Sequence, residues 1–150
     1  MVQLRRAYRL MILFVPIFAA VGVTVSVAQP ASAQSASAES ASAVASCTGT
    51  SERGIRPPLF AVIPSVGNNT GNFNCDLGPG NLSPAVGDLQ RTLNHCYQAG
   101  LHVDNDYGPL TKAAVKEAQQ DVNITADGMY GPVTRDHIQW VASDGRCHLL

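Results

Sequence analysis

Four histidines (His95, His102, His137, His148), four cysteines (Cys47, Cys75, Cys96, Cys147), three glutamates and eight aspartates are the side chains of this chain that could do chemistry. A metal-dependent hydrolase needs two or three His, Asp or Glu ligands converging on an open coordination site. Only His102-x-Asp104 has suggestive spacing, and Asp104 has a competing role in a turn described below. A thiol nucleophile needs a free cysteine and a positioned histidine. His95 and Cys96 are adjacent, and neighbours on a helix point apart. A glycosidase needs two carboxylates flanking a sugar-sized cleft, but Glu39 lies in an Ala/Ser segment and the aspartates cluster in turns. Calcium loops need oxygen ligands at positions 1, 3 and 5 and an acid at 12. Asp104 and Asp106 fill the first two, but Gly108 and Val115 stand at the others, and a second copy offers only Asp127. The residues therefore point away from an enzyme, a metal centre or a cofactor.

The chain opens with Arg5, Arg6 and Arg9, an apolar run from Leu10 to Ala28, and Ala31-Ser32-Ala33 before Gln34. A basic start, an apolar stretch and an A-x-A exit mark a secretory signal peptide over residues 1–33. Ser26-Val27-Ala28 is the second cleavage choice, and an uncleaved anchor is the competing reading. Three of the ten Lys and Arg lie in this segment and none of the eleven acids does, so its removal takes the net charge from −1 to −4. Such a surface lacks the basic face that nucleic acid requires; neither nucleic acid nor, after cleavage, a membrane is expected as a partner. Residues 34–46 are almost pure Ala, Ser and Gln and read as a flexible linker.

All four cysteines follow that linker, and an even count in an exported small domain reads as two disulfides. Sequence alone allows three pairings. Cys47–Cys75 with Cys96–Cys147 is preferred, because the first closes the lead-in segment and the second ties a helix end to the C-terminal tail. Residues 47–82, rich in Gly, Pro, Asn, Ser and Thr, read as an irregular arm in which only Leu59–Ile63 resembles a strand.

From Ser83 the texture becomes helical. Ser83-Pro84 starts helix 1, Val86, Leu89, Leu93, Cys96 and Tyr97 recur at helical spacing, and Gly100 stops it. Then Val103 to Lys112 recurs as Ala126 to Arg135 at a constant offset, with Asp, Tyr, Gly, Pro and Thr identical. Asn105 faces Gly128, the two residue types that most readily accept positive φ. Each copy reads as one turn. Asp104 or Asp127 accepts backbone N–H bonds, Asn105 or Gly128 completes the reversal, and the tyrosine drops onto the core. Gly108 or Gly131 shapes the exit with its proline, and Thr111 or Thr134 caps the next helix. Helix 2 is expected over about Lys112–Asp121 and helix 3 over about Arg135–Ala142. Helices 1 and 2 share Val86-x-x-Leu89-Gln90 and Val115-x-x-Ala118-Gln119.

V-x-x-L-Q followed twice by D-[GN]-x-Y-G-P-x-T resembles the peptidoglycan-binding domain 1 family over roughly Pro84–Ala142. The resemblance implies an all-α fold, a small three-helix bundle over residues 83–150, preceded here by the disulfide-tied arm. It implies a secreted, cell-wall-associated module that binds peptidoglycan, glycan and stem peptide, without catalysis. Asn105 departs from the family's usual Gly. Ala118 stands where the family places an aromatic, so Tyr97, Phe60 or Phe73 must fill that space. A second reading is an extracellular scaffold of the same fold whose partner is a cell-wall or secreted protein.

A glycan site uses aromatic faces and hydrogen-bonding side chains, which nominates Tyr107, Tyr130, Trp140, Arg135 and Gln90. Repeated motif tyrosines are more often core. Trp140 would lie about 200° around helix 3 from Ile138 and so off its packing face, covered by the arm or the Cys147 tail unless a ligand takes that place.

Overall fold

The computed structural model describes residues 44–150. The signal segment and all but the last three residues of the Ala/Ser linker lie outside the described residues.

The described chain is not an all-helical bundle. Six strands accompany three helices: β1 Ala45–Ser46, β2 Gly49–Arg56, β3 Leu59–Ser65, β4 Cys75–Asp76, α1 Pro84–Tyr97, α2 Pro109–Asp121, α3 Pro132–His137, β5 Trp140–Val141 and β6 Cys147–His148. The arm is the main departure from the sequence reading, since β2 and β3 form an antiparallel hairpin from Gly49↔Ser65 to Arg56↔Leu59, with a bulge near Ile55. Apolar alternation does not reveal β2, because its two most buried inward positions are Gly49 and Ser51. Ser51 and Ser65 satisfy each other across the hairpin, with their Oγ atoms 2.8 Å apart. On β3, Ala61 and Ile63 face the core while Phe60 and Val62 face outward.

Two cross-links tie the layers. Cys47–Cys75 lies beside the short parallel pairing of β1 with β4. Cys96–Cys147 joins α1 to β6. Both follow the preferred pairing.

Helix α1 begins where Pro84 presets φ and omits an N–H that would have no partner. Ser83 is its extended N-cap, but the serine hydroxyl donates to the Cys47 carbonyl rather than to the helix. The helix ends as Gln98 enters the left-handed region, with Gly100 following it there. Val86, Leu89 and Leu93 bury one face. Helix α2 starts at Pro109, three residues before the expected position, and runs to Asp121.

Helix α3 is shorter than its sequence suggests. Ile138 is already extended, so Trp140 sits on β5 rather than on a helix. Strand β5 pairs with β6, and Ala61 of the hairpin bridges to Ala142. This rerouting carries Trp140 into the core, where its Nε1 donates to the Arg135 carbonyl at 2.9 Å and its ring meets Tyr130 edge-on at 5.9 Å. Such aromatic pairs contribute about 0.5–1.5 kcal/mol beyond area burial.

Candidate functional site

The two repeated turns are built alike. In the first, Asp104 Oδ1 accepts the Asp106 N–H at 3.0 Å and Asn105 takes φ 66°. In the second, Asp127 Oδ1 accepts the Met129 N–H at 2.8 Å and Gly128 takes φ 70°. A buried glutamine from the preceding helix holds each turn from within. Gln90 Nε2 donates to Asp104 Oδ1, the Asp106 carbonyl and Thr111 Oγ1, while its Oε1 accepts the N–H groups of Asp104 and Asn105. Gln119 repeats this with Asp127 Oδ1, the Met129 carbonyl, Thr134 Oγ1 and the Gly128 N–H. The amide donated by Gln90 holds the Asp104 carboxyl below its usual range.

Thr111 and Thr134 do not cap the helices. Gly108 and Gly131 are the N-caps, and the threonine hydroxyls donate back to the Asp106 and Met129 carbonyls. Gly131 has a local reason to be glycine, since a Cβ there would press on Asp76 Oδ1 at 2.7 Å. The segment 77–83 clamps both turns from outside. Leu77 exchanges backbone bonds with Tyr130, Ser83 donates to the Asn105 carbonyl, and Tyr107 donates to the Asn81 carbonyl.

The side chains nominated for ligand contact are committed inside the protein. Tyr107, Tyr130 and Trp140 are at most 1% exposed, as is Gln90. The Tyr107 hydroxyl donates to the Gly128 carbonyl, which links the two turns. Burial pushes both tyrosine hydroxyls well above their ordinary range. Arg135 donates through Nε and Nη2 to Asp136 and through Nη1 to the Phe73 carbonyl. The Arg135 guanidinium in turn holds the Asp136 carboxyl below its usual range. Of the residues expected to fill the space at Ala118, Phe73 and Tyr97 pack against the core, whereas Phe60 is exposed.

What remains open to a ligand lies elsewhere. A groove of about 640 Å³ runs between the outward side of β3 and α1, lined by Phe60, Val62, Asp88, Arg91 and His95 and closed by Val141–Ser143. Arg91 Nη2 donates to Asp88 Oδ1 at 3.0 Å. Asp88 Oδ2 and the Tyr130 hydroxyl are the buried side-chain atoms without a hydrogen-bond partner among the described residues. Burial raises the Asp88 carboxyl, and the hydrogen bond and charge of Arg91 oppose that rise. No group of three or more His, Cys, Asp or Glu among the described residues is placed to hold a metal ion. Nor is any described helix long and apolar enough to cross a membrane.

Two turns of one construction, each stapled by the glutamine of a V-x-x-[LA]-Q helix, are the decisive feature of the C-terminal half. Residues 83–138 match the family model "Putative peptidoglycan binding domain". None of the curated proteins matches the chain. Among solved structures, one similar to it is a peptidoglycan-binding protein from Clostridioides difficile in complex with glutamine hydroxamate. The two are 21% identical with a TM-score of 0.43, over 57% of this chain and 53% of the other. The chain thus spans about half the length of that protein.

The segment matched by that model contains both turns and all three described helices. The hairpin and the β5–β6 tail lie outside it. Within the segment the two copies are not equally tolerant. A Cβ on Gly128 would meet the Lys112 carbonyl oxygen at 2.9 Å on a backbone of positive φ. Gly128→Ala is therefore expected to cost about 2 kcal/mol, the sum of left-handed strain and displaced backbone. Asn105→Gly should stay within about 1 kcal/mol, since Asn105 already occupies the left-handed region. Urea unfolding midpoints measure both, and an unshifted midpoint for Gly128→Ala would contradict the strain argument.

Proposed function

We propose that this chain is exported and holds to bacterial peptidoglycan, glycan or stem peptide, as a non-catalytic module. The observation that carries this reading is the family match over residues 83–138, the stretch containing both glutamine-stapled turns. Two disulfides fit an extracellular setting. None of the tyrosines, tryptophan or glutamine nominated from the sequence offers a free face, so contact with the polymer belongs to other surfaces.

Co-sedimentation with purified insoluble peptidoglycan tests the proposal. The protein should appear in the pellet, return to the supernatant on unfolding, and be displaced by soluble wall fragments. A protein that stays wholly in the supernatant refutes wall binding and favours an extracellular scaffold for a protein partner. Leu110 and Val133 support that second reading. They occupy the same place in the two repeats and are both strongly exposed, an arrangement suited to apolar contact with another protein.

A further inference from the structure

We propose that the groove between α1 and the hairpin is a receptor for the carboxylate end of a short peptide, with Arg91 as the group that takes the carboxylate. That the peptide is the stem peptide of peptidoglycan rests on the function proposed above.

The groove's volume falls in the range of small-ligand sites. Its two walls differ in chemistry. One is Phe60 and Val62, neighbours on the outward side of β3 whose exposed apolar surfaces face no core. The other is a single stripe of α1, where Asp88, Arg91 and His95 follow one another at helical spacing. The hairpin side is fixed to the tail, because Ser143 donates its N–H to the Phe60 carbonyl and its hydroxyl oxygen accepts the Phe60 N–H.

The Asp88–Arg91 pair decides the ligand class. Asp88 is almost wholly buried, whereas the Arg91 side chain is 57% exposed. Its Nη2 is held by Asp88 Oδ1, while Nε and Nη1 have no acceptor among the described residues. A guanidinium carries five N–H donors in a planar fork that matches a carboxylate in two-point contact. One bond to a buried acid fixes the fork and leaves donors for a second anion, so little freedom is lost on binding. By contrast, Arg135 spends Nε, Nη1 and Nη2 on protein acceptors. Small apolar side chains next to the ligand's carboxylate would lie against Phe60 and Val62. A neutral sugar would use the Phe60 ring and leave the guanidinium idle.

The experiment is an NMR titration of the full chain with D-alanyl-D-alanine, with the same dipeptide as its C-terminal amide, and with N-acetylglucosamine. The free acid should give saturable amide shifts at Thr92, Val141 and Ser143, and the amide should bind about tenfold more weakly or worse. Phe60→Ala should weaken the free acid severalfold, and Arg91→Gln should abolish the difference between acid and amide. Equal binding of acid and amide, a response to the sugar alone, or no saturable shift would overturn the proposal. Arg91→Gln removes the partner of a buried carboxylate and can destabilise the fold, so the acid and amide comparison on the unsubstituted protein decides by itself. Pelleting with insoluble peptidoglycan separates the two levels. If unsubstituted protein pellets but the dipeptide does not bind, the groove fails and wall binding stands. If the dipeptide binds and the protein does not pellet, the groove stands as a receptor for peptide carboxylates and wall binding fails.

Discussion

Replacing Cys96 and Cys147 together by alanine should lower the unfolding free energy by about 4 kcal/mol. The cross-link closes a loop with a sequence separation of 51, and constraining a loop of that size in the unfolded chain is worth about that much on the loop-entropy model. Native packing adds to the effect. Cys147 anchors β6, β6 is the pairing partner of β5, and β5 carries Trp140 into the core. Without the bridge β6 is held by its two-residue ladder with β5, the Ala142 N–H bond to the Arg146 carbonyl and the packing of Leu150. For a domain of this size about 4 kcal/mol corresponds to a fall in Tm of roughly 15 °C or more. Thermal unfolding of the double variant followed by tryptophan fluorescence measures it. A fall below about 5 °C would mean that the tail holds its place without the cross-link. Cys47–Cys75 closes a shorter loop of separation 28, and its removal is expected to cost somewhat less on the same model.

Gln119→Leu should cost about 3–4 kcal/mol although leucine matches glutamine closely in size. Gln119 is 2% exposed and makes four hydrogen bonds, to Asp127 Oδ1, the Met129 carbonyl, Thr134 Oγ1 and the Gly128 N–H. Leucine fills the volume but leaves those groups without their partner, and each buried group so orphaned costs about 1–3 kcal/mol. The Asp127 carboxylate, Met129 carbonyl and Thr134 hydroxyl retain other partners or solvent, which keeps the total below the simple sum. The consequence reaches further than the turn. The Gly128 carbonyl accepts the Tyr107 hydroxyl and Tyr130 exchanges backbone bonds with Leu77, so loosening the second turn loosens the first turn and segment 77–83 with it. Gln90→Leu should have a comparable effect at the first turn. Urea unfolding gives the magnitude, and amide hydrogen exchange at Gly128 and Met129 gives the location. A loss below about 1 kcal/mol would show that the glutamine staples are dispensable.

The turn sequences and the pocket differ sharply in how far they could be read in advance. An aspartate two residues before an N–H it can accept, followed by a residue tolerant of positive φ, encodes a reversal within three positions. The repeat states that chemistry twice, at Asp104-Asn105 and Asp127-Gly128. The role of Gln90 and Gln119 was not visible in the same way. Their motif places them on helices, but only the packing of each helix against the turn that follows it brings the amide within bonding distance. Arg91 had no motif to mark it. The one local signal was an acid three residues earlier on the same helix, the Asp88–Arg91 spacing that stabilises helices anywhere. Arg135 has the hydrogen-bonding side chain that a ligand site calls for, yet the fold spends its donors on Asp136 and Phe73.

By itself, the sequence determined the features that rest on contacts within a few residues. These are the proline-led start of α1 and its stop near Gly100, the paired turns and a cysteine content that calls for cross-links. Tertiary structure alone decided that Gly49–Arg56 is a strand, that α3 stops at His137, that Trp140 lies in the core and that Phe60 faces Arg91 across a groove. The physical reason is range. A turn or a helix start is settled by the chain's own neighbouring donors, acceptors and φ preferences. A strand with serine and glycine at its inward positions is settled by the partner strand, and the end of a six-residue helix by the energy of burying a tryptophan against distant residues.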